Sequence, residues 1–303
     1  MPRTIPYRPV LIDELITTSR IYSYENVFTY RDDAELVGAY LWNANACAGL
    51  YPLVQMVEVS LRNAIDSALS SNNNRLWWAR GRLRYASFQP GTSEPVKIRN
   101  IRSHFEGAAN KVRQDKQERY GSRTYPTHAE IVAKTDFVMW EWMLDPEFYG
   151  NSLFWPGHLN AVFRGDWQGR TDLEQLTHAR DQIRSIRKFR NRLFHHEPAW
   201  KKFGVNGAHD AVNHLQERVG QLSDFLSLMH PDLQALAVKS HLISLAQIAC
   251  SAGELRRFQY QVREHTIGSK RGLKELVRKC ALAQEVAVAR ARGNCPGFLI
   301  VPL

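Results

Sequence analysis

Apolar residues recur along this chain with the period of a helix far more often than with the period of a strand. From Leu53 they fall at Leu53, Val57, Leu61, Ile65 and Leu69, with Val54, Ala64 and Ala68 alongside, which is the stripe of an amphipathic helix. A short helix is predicted from Thr127, a suitable N-cap, through Ala133, in a region punctuated by Pro126 and Pro146. Another runs from about Asp172 to Glu197. There Leu173, Leu176, Ile183, Ile186, Leu193 and Phe194 keep helical spacing, and Pro198 disfavours helix at the residue before it. Further helices are predicted at about Ala211–Met229, Leu233–Cys250, Gly253–His265 and Leu273–Arg290. No segment alternates cleanly for more than a few residues, and Asn206-Gly207 sits in a polar loop, not between β-branched runs. The expectation is an all-α chain. His230-Pro231-Asp232 marks the boundary between a first region, 1–230, and a helical extension, 231–303.

Composition narrows the class. The chain has 303 residues, 44% hydrophobic and 23% charged, enough for a sizeable core and unlike a disordered protein. Its most apolar stretch, Tyr40 to Val57, is broken by Asn43 and Asn45 and followed by Glu58 and Arg62. It falls short of the roughly 18–20 apolar residues a membrane helix needs. The first residues lack a continuous apolar run behind a basic segment, so no secretory leader is expected. Cys47, Cys250, Cys280 and Cys295 form no CxxC or CxxH pair, which fits a reducing cytoplasm.

Charge changes the picture more. The formal net charge is +10, with a pI near 9.6, and the usual partner of such a chain is a polyanion. The excess is gathered in three runs. Lys97 to Arg123 carries eight Lys/Arg against three Asp/Glu, and Glu254 to Arg292 carries ten against four. Between them, Arg180, Arg184, Arg187, Lys188, Arg190 and Arg192 face Asp181 alone.

The third run ends in "KFRNRLFHHEP", Lys188 to Pro198. Phosphate-loop, dinucleotide, zincin and serine-hydrolase motifs are absent from the sequence. Adjacent His195 and His196 point about 100° apart on a helix and lack an acidic partner at ligand spacing, so neither a metal nor a cofactor is expected. Asn191 and His195 are one turn apart on one face, with Arg190 beside them. A guanidinium is a permanently charged fork suited to phosphate, and an imidazole exchanges protons near neutral pH. These are parts for cleaving RNA without metal: the 2′-hydroxyl attacks the adjacent phosphate, histidine handles a proton and arginine holds the crowded anion. One histidine is few for both oxygens, and a symmetric dimer would supply a pair.

The stretch "FRNRLFHHEPAW", Phe189 to Trp200, resembles the signature of the Abi-like (abortive-infection) proteins, a branch of the HEPN superfamily marked by R-x4-6-H. "YPLVQMVEVSLRNAI", Tyr51 to Ile65, is similar to that family's early helix, with Glu58, Arg62 and Asn63 as its Glu-x-x-x-Arg-Asn. The aromatic "AKTDFVMWEWML", Ala133 to Leu144, fits a Trp-rich helix before the motif. The likeness covers about residues 32–229. It implies a HEPN-type helical bundle with additional helices, dimeric through the motif. The implied activity is metal-independent endoribonuclease action in phage defence or as a toxin with an antitoxin of protein or RNA. By that correspondence Arg190, Asn191 and His195 are the catalytic set, and His196 also satisfies the spacing. Glu58, Arg62, Asn63 and Glu197 would support them, while Arg187, Lys188, Arg192, Lys97, Arg99 and Arg102 would meet the RNA backbone. Glu197 stands where some HEPN toxins carry a modifiable tyrosine. The alternative is a catalytically inactive HEPN-like RNA-binding or scaffold protein, and a weaker one a DNA-binding regulator.

Overall fold

The structure is a computed structural model and describes residues 4–70, 76–79, 81–121, 124–283, 286–293 and 297–301. Cys295 and Arg123 lie outside the described residues. The chain is mostly helical. In order come a π-helical turn at Val10–Thr17, then α1 (Thr18–Glu25), α2 (Asp33–Leu69), α3 (Val96–Tyr120), α4 (His128–Ala133), α5 (Phe137–Trp142), α6 (Leu159–Val162), α7 (Asp172–Phe194) and α8 (Ala208–Met229). They are followed by α9 (Pro231–Lys239), α10 (Leu242–Ala249), α11 (Ala252–Phe258), β1 (Arg263–Ile267), α12 (Lys270–Ala283), β2 (Ala287–Ala291) and β3 (Phe298–Ile300). Two compact units result. One comprises Met1–Leu53, Asn191–Ser223 and Leu236–Leu303, the other Val54–Arg190 and Asp224–Ala235.

In the first unit, Asp32 opens α2 by accepting the Glu35 N–H at 2.9 Å. Leu36, Ala39, Trp42, Ala46, Leu50 and Leu53 then recur at steps of three and four and are fully buried. The Trp42 indole N–H donates to the Ala249 carbonyl at 3.0 Å, so its burial leaves no donor unmet. Gly38 lets α11 close on α2: a Cβ there would stand 2.2 Å from the Phe258 carbonyl oxygen. Tyr24, Phe28 and Trp200 form an edge-on aromatic cluster, Trp200 lying 5.2 and 5.0 Å from the other two rings.

The same unit holds a feature absent from the helical expectation. β1 and β2 pair in parallel with α12 crossing between them, and β3 runs antiparallel to β2. Ile267, Leu273, Leu276, Cys280, Ala287, Ala289 and Ile300 make its core. The predominantly helical class holds for the chain as a whole, and this small sheet is the departure from it: the helices predicted over Gly253–His265 and Leu273–Arg290 are corrected to α11 followed by β1 and to α12 followed by β2. The segment Ala-Val-Ala-Arg-Ala of β2 is rich in a strong helix former, so local preference points to helix; pairing and the burial of Ala287 and Ala289 decide for strand. Likewise the helix predicted over Leu233–Cys250 is two, because His241 adopts a left-handed backbone with φ of 61°.

In the second unit the predicted stripe of α2 is buried at Val54, Val57, Leu61 and Ile65. Thr127 caps α4 as predicted, in a capping box where its hydroxyl accepts the Glu130 N–H and the Glu130 carboxylate accepts the Thr127 N–H. Trp77, Phe105 and Trp140 pack edge to face, with Trp77 and Phe105 centroids 4.9 Å apart. Trp140 donates to the Thr135 hydroxyl at 3.0 Å and Trp155 to the Met143 carbonyl at 2.8 Å. Among the described residues no helix is long and apolar enough to cross a membrane.

Candidate functional site

The carboxyl end of α7 is built as a Schellman turn. His195 N–H donates to Asn191 O at 2.9 Å, His196 N–H to Leu193 O at 3.3 Å and Glu197 N–H to Arg192 O at 3.0 Å. His196 occupies the left-handed position with φ of 54°, where glycine is usual and a Cβ costs about 1–2 kcal/mol. Neighbours in the first unit pin this turn. The His196 carbonyl accepts from Arg20 Nη1 at 3.0 Å, and the buried amide oxygen of Asn43 accepts the Ala199 N–H at 2.9 Å. Trp200, 1% exposed, anchors the chain as it leaves the turn. Between these anchors His195, His196 and Glu197 are all exposed, so both imidazoles are accessible to a ligand.

Cations crowd this part of the first unit. Arg192 donates to the Lys201 carbonyl and stands 3.9 Å from Glu197. Burial, then the charge of Arg192, works to lower the pKa of Arg218; Glu217 opposes them. The His214 imidazole is pushed down to about 4 by burial first and then by Arg218 and Lys202, with Glu217 pulling the other way. Lys202, His214 and Arg218 were not signalled by any motif, because they come from a loop and from α8, remote in sequence. Beside the turn lies an apolar groove of about 520 Å³, lined among others by Tyr40, Ala44, Cys47, Tyr51, Phe194 and His196. Tyr51 and Phe194 are half-exposed, 5.4 Å apart. Burial raises the Cys47 thiol to about 11, so it is no nucleophile at neutral pH.

Arg190 belongs to the second unit. Its Nε lies 3.3 Å from Glu58 Oε2, the side chains being 28% and 18% exposed. Glu58 therefore meets Arg190, while Arg62, its helical neighbour, donates to the Ala133 carbonyl at 3.3 Å and Asn63 is exposed. The basic residues predicted to face RNA divide. Arg187 Nε donates to the buried Glu141 at 2.5 Å, where Arg184 Nε joins it at 2.9 Å. Lys97 and Arg180 share Asp145, at 2.5 and 3.3 Å, and Arg102 Nη1 donates to Glu94 at 2.9 Å. Arg99 and Lys188 are exposed, and so are Lys111, Arg113 and Arg119 on α3.

One further cluster in the second unit suggests hydrolase chemistry. His128 Nε2 lies 2.8 Å from Asp66 Oδ1 and 3.4 Å from Ser70 Oγ. Both partners meet the same ring nitrogen, whereas a relay needs them on opposite nitrogens. The Trp77 indole N–H also donates to Asp66, at 2.8 Å, so the cluster is a packed polar support. Among the described residues no group of three or more His, Cys, Asp or Glu is placed to hold an ion. No protein-family model, curated protein or solved structure matches the chain.

Proposed function

We propose that the chain is a metal-independent endoribonuclease of the HEPN type, acting as a cytoplasmic homodimer in abortive infection or as the toxin of a toxin–antitoxin pair. The observation that carries the reading is the end of α7. Two exposed imidazoles follow the Arg-Asn pair of one helix, on a turn whose left-handed residue is histidine instead of glycine. Residues kept in a costly backbone geometry cluster at functional sites.

In this reading the 2′-oxygen of RNA bonds to the adjacent phosphorus as the bond to the 5′-oxygen breaks. The proton leaves the 2′-hydroxyl and one reaches the departing 5′-oxygen, with His195 serving one transfer and the same residue of a second copy the other. Arg190, oriented by Glu58, stabilises the charge on the phosphoryl oxygens, and Asn191 orients the imidazole or the phosphate. The half-exposed Tyr51 and Phe194 beside the turn supply apolar surface on which a second copy can sit. Exposed Arg99 and Lys188, with Arg192, guide the backbone.

The test is incubation of the protein with RNA in excess chelator. Fragments ending in 2′,3′-cyclic phosphate are expected, lost in His195→Ala while RNA binding persists, and retained in His196→Ala. Binding without fragments from any RNA would instead identify an RNA-binding scaffold. Expression of wild type against Arg190→Ala is the quicker comparison, since only an active nuclease makes the first selectively toxic.

A further inference from the structure

We infer that the C-terminal β1–α12–β2 unit holds a second ligand site, a pocket for a phosphate-bearing nucleotide group. This site is separate from the α7 turn, and its first readout, a nucleoside diphosphate against the nucleoside, involves no RNA cleavage. A cavity of about 600 Å³ opens between α11, the start of β1 and the second half of α12. That volume lies within the usual range, about 300–1,000 Å³, of small-ligand sites.

The walls differ in chemistry. Arg256, Arg263, His265 and Lys279 line it, and among the described residues lining it none is acidic. Side chains alternate along a strand, so Arg263 and His265 share the face of β1 that carries Ile267, which packs into the core under α12. The two polar side chains therefore project toward α12, whose Lys279 lines the opposite side. Val262, Leu276, Val286 and Ala287 supply an apolar wall suited to a base or sugar. Gly253 permits the close approach that forms the floor, because a Cβ there would stand 2.8 Å from Val286 Cγ2.

The electrostatic balance favours an anion. Among the described residues, Arg263 and Lys279 bring two full positive charges, with Arg256 beside them in the lining. The carboxyl end of α12, with Ala283 in the lining, opposes them with roughly half a negative charge. Glu275 meets Lys279 at 3.6 Å, but the two side chains are 64% and 74% exposed, so water screens that pair. Arg290, paired with Glu264 at 3.4 Å, lies outside the lining and serves as a control cation.

Calorimetry of the full chain at fixed physiological salt tests the site with adenosine 5′-diphosphate, adenosine, and a short RNA with and without a 5′-phosphate. The diphosphate is expected to bind at least tenfold more tightly than adenosine. Arg263→Glu with Lys279→Glu should abolish that preference with unchanged circular dichroism and melting temperature, while Arg290→Glu should preserve it. If only the 5′-phosphorylated RNA shows the preference, with the same dependence on Arg263 and Lys279, the occupant is an RNA terminus and the proposal stands. Equal binding of phosphorylated and unphosphorylated forms, or a preference that survives the double substitution, overturns it.

Discussion

His196→Gly isolates the backbone at the end of α7 from the chemistry of its side chain. At φ of 54° a side chain beyond Cα costs about 1–2 kcal/mol, which glycine removes. Glycine also frees the unfolded chain, returning about 0.5–1 kcal/mol of that gain. The Arg20 bond to the His196 carbonyl involves only backbone at this position and survives the change. A net stabilisation of about 0.5–1 kcal/mol is therefore expected, or roughly 1–4 °C in melting temperature for a chain of this size class. His196→Ala keeps the Cβ and should leave the melting temperature near wild type. Differential scanning calorimetry of the three proteins in one buffer reads the contrast. Should glycine prove no more stable than alanine, the left-handed turn is not what terminates α7, and the reasoning from it to the exposed imidazoles fails. The glycine variant also separates the histidines, since under the proposed chemistry His195 alone sustains cleavage.

Three other measurements probe the frame around the site. Glu141 is 4% exposed between Arg184 and Arg187, so Glu141→Gln should cost about 2 kcal/mol in a urea titration. That is below the 3–5 kcal/mol of a fully buried pair because Arg184 is 44% exposed; a loss under about 0.5 kcal/mol would show that the carboxylate is not holding α7. His214, held near 4 against about 6.5 when unfolded, contributes stability that is complete above pH 6.5 and drains away as pH falls toward 4. The loss should reach at most about 3 kcal/mol and be absent in His214→Gln, and parallel pH–stability curves for the two proteins would contradict it. Asn43→Ala strands the buried Ala199 N–H and should destabilise by about 1–3 kcal/mol, measured by the same titration; no change would mean that water replaces the amide.

Much of the helical frame was legible because it rests on local rules. The stripe from Leu53 to Ile65, the Thr127 cap and the arrest of α7 before Pro198 each follow from spacing or from one residue's backbone chemistry. Asn43 and Asn45, visible in the sequence only as interruptions of an apolar run, turn out to bond Ala199 and Glu254. The C-terminal sheet was not legible, since β2 is strand only through its partners β1 and β3. Nor was the sorting of the cations. Charge runs along the sequence do not tell that Arg187 will meet Glu141, or Lys97 and Arg180 meet Asp145, while Arg99 and Lys188 face water. The convergence of Arg218 and His214 toward Arg192 is likewise a product of tertiary folding, invisible to any motif.

The threading of the chain through its two compact units has a practical outcome for anyone shortening it. The unit that bears the histidines is assembled from an N-terminal, a middle and a C-terminal segment, and the other unit borrows twelve residues from Asp224–Ala235. No single scissile point yields an intact half: truncation after His230 would strip Leu236–Leu303 from beneath Trp42, whose indole bonds to Ala249. Such closure of distant segments also delays native pairing until late in synthesis, because Trp42 meets its Ala249 partner only after the helices beyond His230 have been made.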